Sequence, residues 1–329
     1  MIHSLGWKER VQGDFPVPYH PSWEIQDSTK IQCYQSCPRM YFYEYVLGWR
    51  SARPNNHLYF GQCLHNAMEH IILHGYRTEV IIEAMEMFND QYRAVFPVNT
   101  DSIYTPKIPD RFFEMLLLYV KTYADDMRKY TVLKTEIGGT IPLSDHHRIA
   151  FKMDTVLFNN DDLTYCSLEH KSKGGNYIGD LYRYDFLLGT QVGTYTHVLN
   201  SLYPRKDVGE IIINCMCFKK TKAPDFILGR FPISLSNAQM YVWLENTKAW
   251  LDAMENDYYK LLQMSGFEDI MTCFRMNTRN CTSWSRVCTY HDMCSCWENP
   301  VAHKDSMPMD MSVNFWNPLD EELTEVMEL

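Results

Sequence analysis

Near residue 130 the spacing of apolar residues changes from helical to alternating, and few architectures accept both halves of such a chain. From Leu58 to Phe96 the apolar positions recur at helical intervals, as in Leu64, Ala67, Met68, Ile71 and Ile72. Gly75 divides this stretch from a second set, Val80, Ile81, Ala84, Met85 and Phe88, and Asp110 to Tyr130 reads as a further helix. Val132 to Leu143, Arg148 to Phe158 and Leu163 to Lys171 then carry strand patterns, with Asn159-Asn160-Asp161-Asp162 as a polar turn. A helix over Asp185 to Tyr203, a strand over Glu210 to Phe218 and a helix over Asn237 to Met264 follow. Upstream, Ser28 to Arg50 reads as helical, with Ser28 as N-cap and Cys37-Pro38 as the first turn of a second helix. Residues 1–27, rich in proline and aromatics, read as an irregular arm over the surface. The order predicts an α/β fold: a mixed central sheet flanked by helices, with a helical part before it and a cysteine-rich segment after it.

The chain of 329 residues is long enough for two domains, yet nothing in it reads as a linker or a repeat, so a single domain is expected. Its 46% hydrophobic and 22% charged residues supply a core and exclude disordered and low-complexity classes. The densest apolar run, Met115 to Val120, falls far short of the roughly 18 residues of a membrane helix. Met1 to Phe15 shows no apolar export signal, which predicts a reducing, cytoplasmic setting. The eleven cysteines are then expected to be metal or cluster ligands where they crowd together, and small buried hydrophobes elsewhere, as at Cys63, Cys166 and Cys215. A net charge of −10 argues at first against nucleic acid. The distribution weakens that objection: Asp320, Glu321, Glu322, Glu325 and Glu328 crowd the tail. Lys219-Lys220-Thr221-Lys222, Lys171-Ser172-Lys173, Arg39, Arg50 and Arg53 form local basic spots.

Side-chain alternation puts Glu169 and Lys171 on one face of the third strand. With a loop at Asn159 to Asp162, Asp154 falls opposite Ser167 and diagonal to Glu169, at roughly 7–8 Å between Cα atoms, where two carboxylates converge on one cation. Paired acids beside an amine are what metal-assisted phosphodiester hydrolysis requires. Taken alone, Glu169 and Lys171 read first as a charged pair on a solvated strand and His65 as a helix histidine, and Tyr195 reads also as core on the stripe that continues to Val198 and Leu202. A zinc-protease reading of His65, Glu69 and His70 fails because the two histidines lie about 140° apart around a helix.

Asp154 in Phe-Lys-Met-Asp-Thr-Val, followed by Glu169-His170-Lys171, resembles the core of the PD-(D/E)xK nucleases. Gly61-Gln-Cys-Leu-His65 upstream and Gln191-Val-Gly-Thr-Tyr195 downstream are similar to marks of the RecB-type branch. The resemblance spans about Ser28 to Cys296. It implies His65, Asp154, Glu169 and the His170 backbone carbonyl as ligands of Mg²⁺ or Mn²⁺, Lys171 as the catalytic lysine, and Gln191 and Tyr195 lining the active site. Lys152 departs from the family, which often has Gly there. Within this reading 58–130 is a helical part, 132–218 the metal-binding core, and 273–297 an iron–sulfur segment closing onto Cys37.

Cys281-x6-Cys288-x5-Cys294 has the wrong spacing for common zinc fingers. Cys37, in Gln-Ser-Cys-Pro-Arg-Met-Tyr-Phe-Tyr, is similar to the early cysteine of the iron–sulfur subgroup, which includes the AddB nuclease domain and the CRISPR-associated RecB-like nucleases. That resemblance implies a four-iron four-sulfur cluster on Cys37, Cys281, Cys288 and Cys294. Spacing does not separate iron from zinc, and Cys33 and Cys296 stay open as alternative ligands. The expected activity is a metal-dependent DNA exonuclease on single-stranded ends, in recombination, repair or replication and of phage or CRISPR-associated context, with a protein partner and no membrane. The alternatives are a structure-specific endonuclease and a scaffold with a degenerate nuclease fold. No Gly-x-x-x-x-Gly-Lys-Ser/Thr loop is present, so no ATP motor is expected.

Overall fold

A computed structural model describes residues 17–175, 178–220, 226–263, 272–282, 286–319, 323 and 325–329. Met1 to Phe15, Thr221, Lys222, Met264 and the acids Asp320, Glu321 and Glu322 lie outside the described residues.

Asp27, not Ser28, caps helix α1 (Ser28–Ser36): its side chain accepts from the Lys30 backbone N at 2.8 Å. Pro38 opens the short α2 (Pro38–Tyr41), as the sequence predicts, and the following turn, Phe42–Val46, is π-helical. Strand β1 (Trp49–Ser51) comes next, so helix does not run on to Arg50. Of the expected surface arm, the described part, residues 17–27, is built into the fold. Val17 and Trp23 are each 1% exposed, Lys30 Nζ donates to the Ile25 carbonyl at 2.7 Å, and Ala150 N donates to the Gln26 carbonyl at 2.7 Å, joining the segment to the sheet.

Helices α3 (Asn56–His74), α4 (Thr78–Val95) and α5 (Pro109–Thr122) follow, with Gly75 at φ +86 ending α3. The meander is β2 (Tyr130–Pro142), β3 (Arg148–Asn159) and β4 (Thr164–Gly174). The helix expected over Asp185 to Tyr203 is two helices, α6 (Asp180–Leu187) and α7 (Thr190–Leu202), divided at Gly189. They form the crossover that lets β5 (Val208–Phe218) lie parallel to β4. After β6 (Phe226–Ile233) come α8 (Asn237–Leu262), begun by a Ser236–Gln239 capping box, then α9 (His291–Cys296), β7 (Met311–Val313) and β8 (Glu325–Glu328).

The sheet order is β6-β5-β4-β3-β2-β8, while β1 and β7 form a separate pair. One face buries Phe60, Leu64, Met68, Phe88 and Phe112 of α3–α5 against Leu168, Ile212 and Met216. The other buries Ile31, Val192, Leu199 and Tyr258 of α1, α7 and α8 against Met153, Val156 and Ile213. This is the mixed sheet between helical layers that the period change predicts. Cys63, Cys166 and Cys215 are buried, as expected. Among the described residues, no helix is long and apolar enough to cross a membrane.

Two glycines set close approaches. A Cβ on Gly139 of β2 would meet the Met327 carbonyl oxygen at 1.9 Å, so only glycine admits β8 at this distance. On Gly193 of α7 it would meet the Trp243 indole at 2.1 Å, and that indole donates through Nε1 to the Thr190 carbonyl at 3.1 Å. Gly193→Ala is therefore expected to lower stability by about 1–3 kcal/mol through overpacking, read from the urea midpoint. An unchanged midpoint would mean that α7 and α8 separate freely here.

Candidate functional site

The β3–β4 ladder runs from Asn159↔Thr164 to Thr155↔Leu168 and stops. At the next step side chains replace it. The His170 backbone N donates to Asp154 Oδ2 at 2.7 Å, and the Asp154 backbone N donates to Glu169 Oε1 at 3.3 Å. Ser167 Oγ also donates to Glu169 Oε1, at 2.9 Å. Each acid is thus fixed by the backbone of the opposite strand. The expected register is off by two residues: Val156, not Asp154, lies opposite Ser167. A slip of two keeps every side chain on its face, so Asp154 and Glu169 remain on one side of the sheet.

His65 projects from α3, whose N-terminus Asn55 caps by accepting from the His57 and Leu58 backbone N–H groups. Its Nδ1 lies 3.1 Å from Asp154 Oδ2. A further acid, which the sequence pattern does not reveal, comes from β2. Glu136 falls between the register pairs Thr135↔Thr155 and Ile137↔Met153, with φ +44. A left-handed conformation at a residue other than glycine costs about 1–3 kcal/mol, and such strain gathers at functional positions. Ligand atoms of His65, Glu136 and Asp154 lie within 4.8 Å of one another. Lys152 Nζ sits 3.0 Å from Glu136 Oε2, so the residue that departs from the usual glycine is an ion-pair partner in the site.

The electrostatics follow from crowding. Burial works to raise the Asp154 carboxyl, but His65 against it, with Lys171 and His170 nearby, holds it well below the usual range. Burial, then the Asp154 charge, push Glu169 well above that range while Lys171 pulls back. Glu136 is pushed up to about 7 by burial and by Asp154. For His65 burial favours the neutral ring, and the Asp154 charge outweighs it to raise the pKa. Burial beside the Asp154 charge favours the protonated form of Glu136 and Glu169, and a cation among them would relieve both. Glu169 is 0% exposed and its Oε2 has no hydrogen-bond partner. An imidazole nitrogen with carboxylate oxygens and a buried oxygen left over fit a divalent cation.

A family model of the PD-(D/E)XK nuclease superfamily matches residues 28–295. The chain belongs to that superfamily. No curated protein matches it. Among solved structures, a protein from Eubacterium rectale, provisionally assigned as an exonuclease, is 11% identical with a TM-score of 0.41, covering 75% of this chain and 87% of its own. The protein SSO0001 is 13% identical with a TM-score of 0.23, covering 64% of this chain and 93% of its own.

In this PD-(D/E)XK nuclease Lys171, half-buried, lies beyond Glu169 on the same side of β4, close enough for its charge to lower both acids. Gln191 Nε2 donates to Tyr195 Oη at 2.8 Å, and Tyr195 Oη donates to the Lys152 carbonyl, two residues before Asp154. His170 turns to the opposite face, where Asn214 Nδ2 donates to its Nδ1 at 2.9 Å. Asn214 accepts in turn from Arg230 Nε at 3.2 Å, and Arg230 pairs with Asp126. Burial lowers the His170 pKa to about 3, so the ring is neutral. Nothing in the sequence signalled this chain of polar groups. His70 stands apart, paired with Glu83 at 2.9 Å.

The tail containing the late cysteines is bonded to α1 and α2. Asn277 N donates to Cys37 Sγ at 3.3 Å, Asn277 Nδ2 to the Ser36 carbonyl at 2.9 Å, and Arg39 Nε to the Phe274 carbonyl at 2.9 Å. Burial, then the neighbouring charges of Cys37, Cys288 and Cys281, push the Cys294 thiol up to about 11, with Arg39 opposing. Cys288 is raised by burial, with Cys37 and Cys281 adding. Among the described residues no three cysteines have sulfurs within 4.8 Å of one another. A second set that does meet this distance, His147, Asp252 and Glu255, is a surface ion pair whose Asp252 is largely exposed.

Glu136→Gln is expected to weaken Mn²⁺ binding by about 10–100-fold, the range for groups that tune a metal site, as read by calorimetry. Glu83→Gln, remote on α4, is the control and leaves the affinity unchanged. Equal affinities for both variants would remove Glu136 from the site.

Proposed function

We propose that the protein is a metal-dependent DNA exonuclease of the RecB type, hydrolysing phosphodiester bonds at single-stranded ends in recombination, repair or replication. The observation that carries this reading is the exchange of hydrogen bonds between Asp154 and Glu169, with His65 against one acid and Lys171 beside the other. His65, Asp154, Glu169 and the His170 backbone carbonyl would hold Mg²⁺ or Mn²⁺, with Glu136 adjoining. When bound, the metal supplies positive charge against the developing phosphorane and lowers the pKa of water. Lys171 would orient the attacking water, its ammonium facing the charge that builds on the phosphorane. Tyr195, held by Gln191, spends its hydroxyl on the Lys152 carbonyl and so acts by fixing the strand that presents Asp154. A scaffold with a degenerate site is disfavoured because both acids, the histidine and the lysine are all retained. The setting proposed is the cytoplasm of a bacterial or phage-infected cell, with a protein partner in the same process.

Asp154→Asn, Glu169→Gln and Lys171→Ala are each expected to slow hydrolysis about a thousandfold or more, equivalent to about 4 kcal/mol. The assay is a time course on end-labelled single- and double-stranded DNA with Mg²⁺, Mn²⁺ or chelator. Full activity in any of these variants would overturn the assignment. A covalently closed circle is expected to survive conditions that degrade the linear form, and equal cutting of both would make the protein an endonuclease.

We further propose a four-iron four-sulfur cluster on Cys37, Cys281, Cys288 and Cys294, stapling the tail to the start of α2. In support, the charges of Cys37 and Cys281 act on both Cys288 and Cys294, and the Asn277 backbone N of the tail donates to Cys37 Sγ, so the tail and Cys37 share one neighbourhood. Protein purified without oxygen should be brown and contain iron and sulfide in equal amounts. Cys37→Ser should lose colour and melt earlier. Colourless protein with stoichiometric zinc would overturn the iron claim and leave the nuclease reading intact. An unchanged Cys37→Ser protein would move the fourth ligand to Cys33 or Cys296.

A further inference from the structure

Because β4 and β5 are parallel, their C-terminal ends emerge at one edge of the sheet, with Lys173 beside Cys217 and Gly174 beside Phe218. Ligands of open α/β sheets gather at such edges. Lys173 follows Lys171 by two residues and so shares its side of β4, its Nζ lying 4.3 Å from the centre of the Tyr182 ring. Lys219 and Lys220 continue directly from the end of β5. Beneath them Lys107 reaches in from the loop before α5, with Nζ 3.0 Å from Ser172 Oγ and its backbone carbonyl held by Tyr92 Oη at 3.0 Å. The positive charges of Lys107, Lys220 and Arg286 all act on His57 at the start of α3, and those of Lys107, Lys173 and Lys219 on Cys217. Basic residues from four separate parts of the chain therefore surround the edge where Lys171 emerges.

This concentration of charge in an acidic chain would be ordinary if these cations had carboxylate partners, as Arg93 has Asp101, Arg230 has Asp126 and Arg50 has Glu44. Among the described residues, Lys107, Lys173, Lys219, Lys220 and Arg286 have none within 4.0 Å. Lys107 is 4% exposed, and a cation buried without an anion is unfavourable until one arrives. The other basic spots of the sequence do not qualify: Arg39 is buried against the tail and Arg50 is paired.

We propose that Lys173, Lys219, Lys220 and Arg286 form a phosphate track that takes the backbone of a single DNA strand as it leaves the active site, with Lys107 beneath supplying field rather than contact. The proposal rests on the nuclease reading and adds where the strand runs. Recognition is by charge and independent of base sequence. Arg286 lies between Cys281 and Cys288, so the cysteine-bearing tail delivers one cation of the track. The seat of that tail and the grip on DNA are then linked.

The test is fluorescence anisotropy of the full-length protein with a short fluorescein-labelled single-stranded oligodeoxynucleotide, in chelator so that nothing is cut, across a salt series. Removing the cation that neutralises one phosphate of a single strand makes the log–log salt slope shallower by about 0.7. Lys219→Ala with Lys220→Ala should therefore reduce the slope by about 1.4, and Arg286→Ala by about 0.7. The control with the same charge change as the lysine pair is Lys206→Ala with Lys248→Ala; Lys206 precedes the opposite end of β5 and Lys248 lies on α8, and the slope should stay at its wild-type value. Melting temperatures should hold in the track variants, since the altered side chains have no carboxylate partner to lose. Wild-type slopes in the track variants, or an equal drop in the control, would overturn the track while a wild-type protein that cuts DNA keeps the nuclease reading. A wild-type protein that neither binds nor cuts DNA would overturn both.

Discussion

The β3–β4 ladder gives way to side chains at one point, and the rest of the site is arranged around that exchange. Asp154 takes the amide of His170, and Glu169 takes the amide of Asp154. Two acids that repel one another are held side by side because each is bonded to the other's strand, and hydrogen bonds from N–H to a carboxylate are among the stronger ones in proteins. His65 can meet Asp154 only because α3 lies across that face, fixed by Phe60, Leu64 and Met68. The core is thus what aims the histidine.

The same arrangement explains the unfavourable features nearby. Glu136 takes a left-handed backbone conformation opposite Asp154, and Lys152 spends its ammonium on Glu136 and its carbonyl on Tyr195. Behind β4, the Asn214–Arg230–Asp126 chain holds the His170 ring, so the backbone that bonds to Asp154 is braced from the far side. None of these contacts is needed to fold a sheet. They stiffen the two strands where the ladder no longer does so.

Much of this was legible in the sequence, because period and alternation are local. The meander, the α3–α4 break at Gly75 and the shared face of Glu169 and Lys171 all follow from spacing. The register was missed because Asn159 has two roles: it pairs with Thr164 and its side chain also accepts from the Asp161 and Asp162 amides. Leu163, apolar and so read as strand, is instead an exposed turn residue at φ +56. β6 was hidden by Gly229 and Pro232, which an edge strand tolerates, and β8 by acids that read as a solvated tail. Glu136, Asn214 and Arg230 belong to the site or its support through contacts distant in sequence, and no local pattern marks them.

The tail illustrates the same point at larger scale. Spacing showed its cysteines, but not that Cys273, Phe274, Tyr290, Met293 and Val301 complete the core on the α8 side. Burying a large apolar side chain is worth about 1.5–3 kcal/mol, so the set contributes on the order of 10 kcal/mol, comparable to the whole stability of a typical domain. Tyr34 bonds to Asp257 at 2.7 Å, and the Phe274 amide bonds to the same carboxylate at 2.9 Å, tying α1, α8 and the tail to one buried acid. Opening the tail would therefore strip the face that supports α1 and α7, and with α7 goes Tyr195, the brace on the strand of Asp154. Closure of the chain ends and geometry of the acids are coupled through packing, whatever the thiols bind.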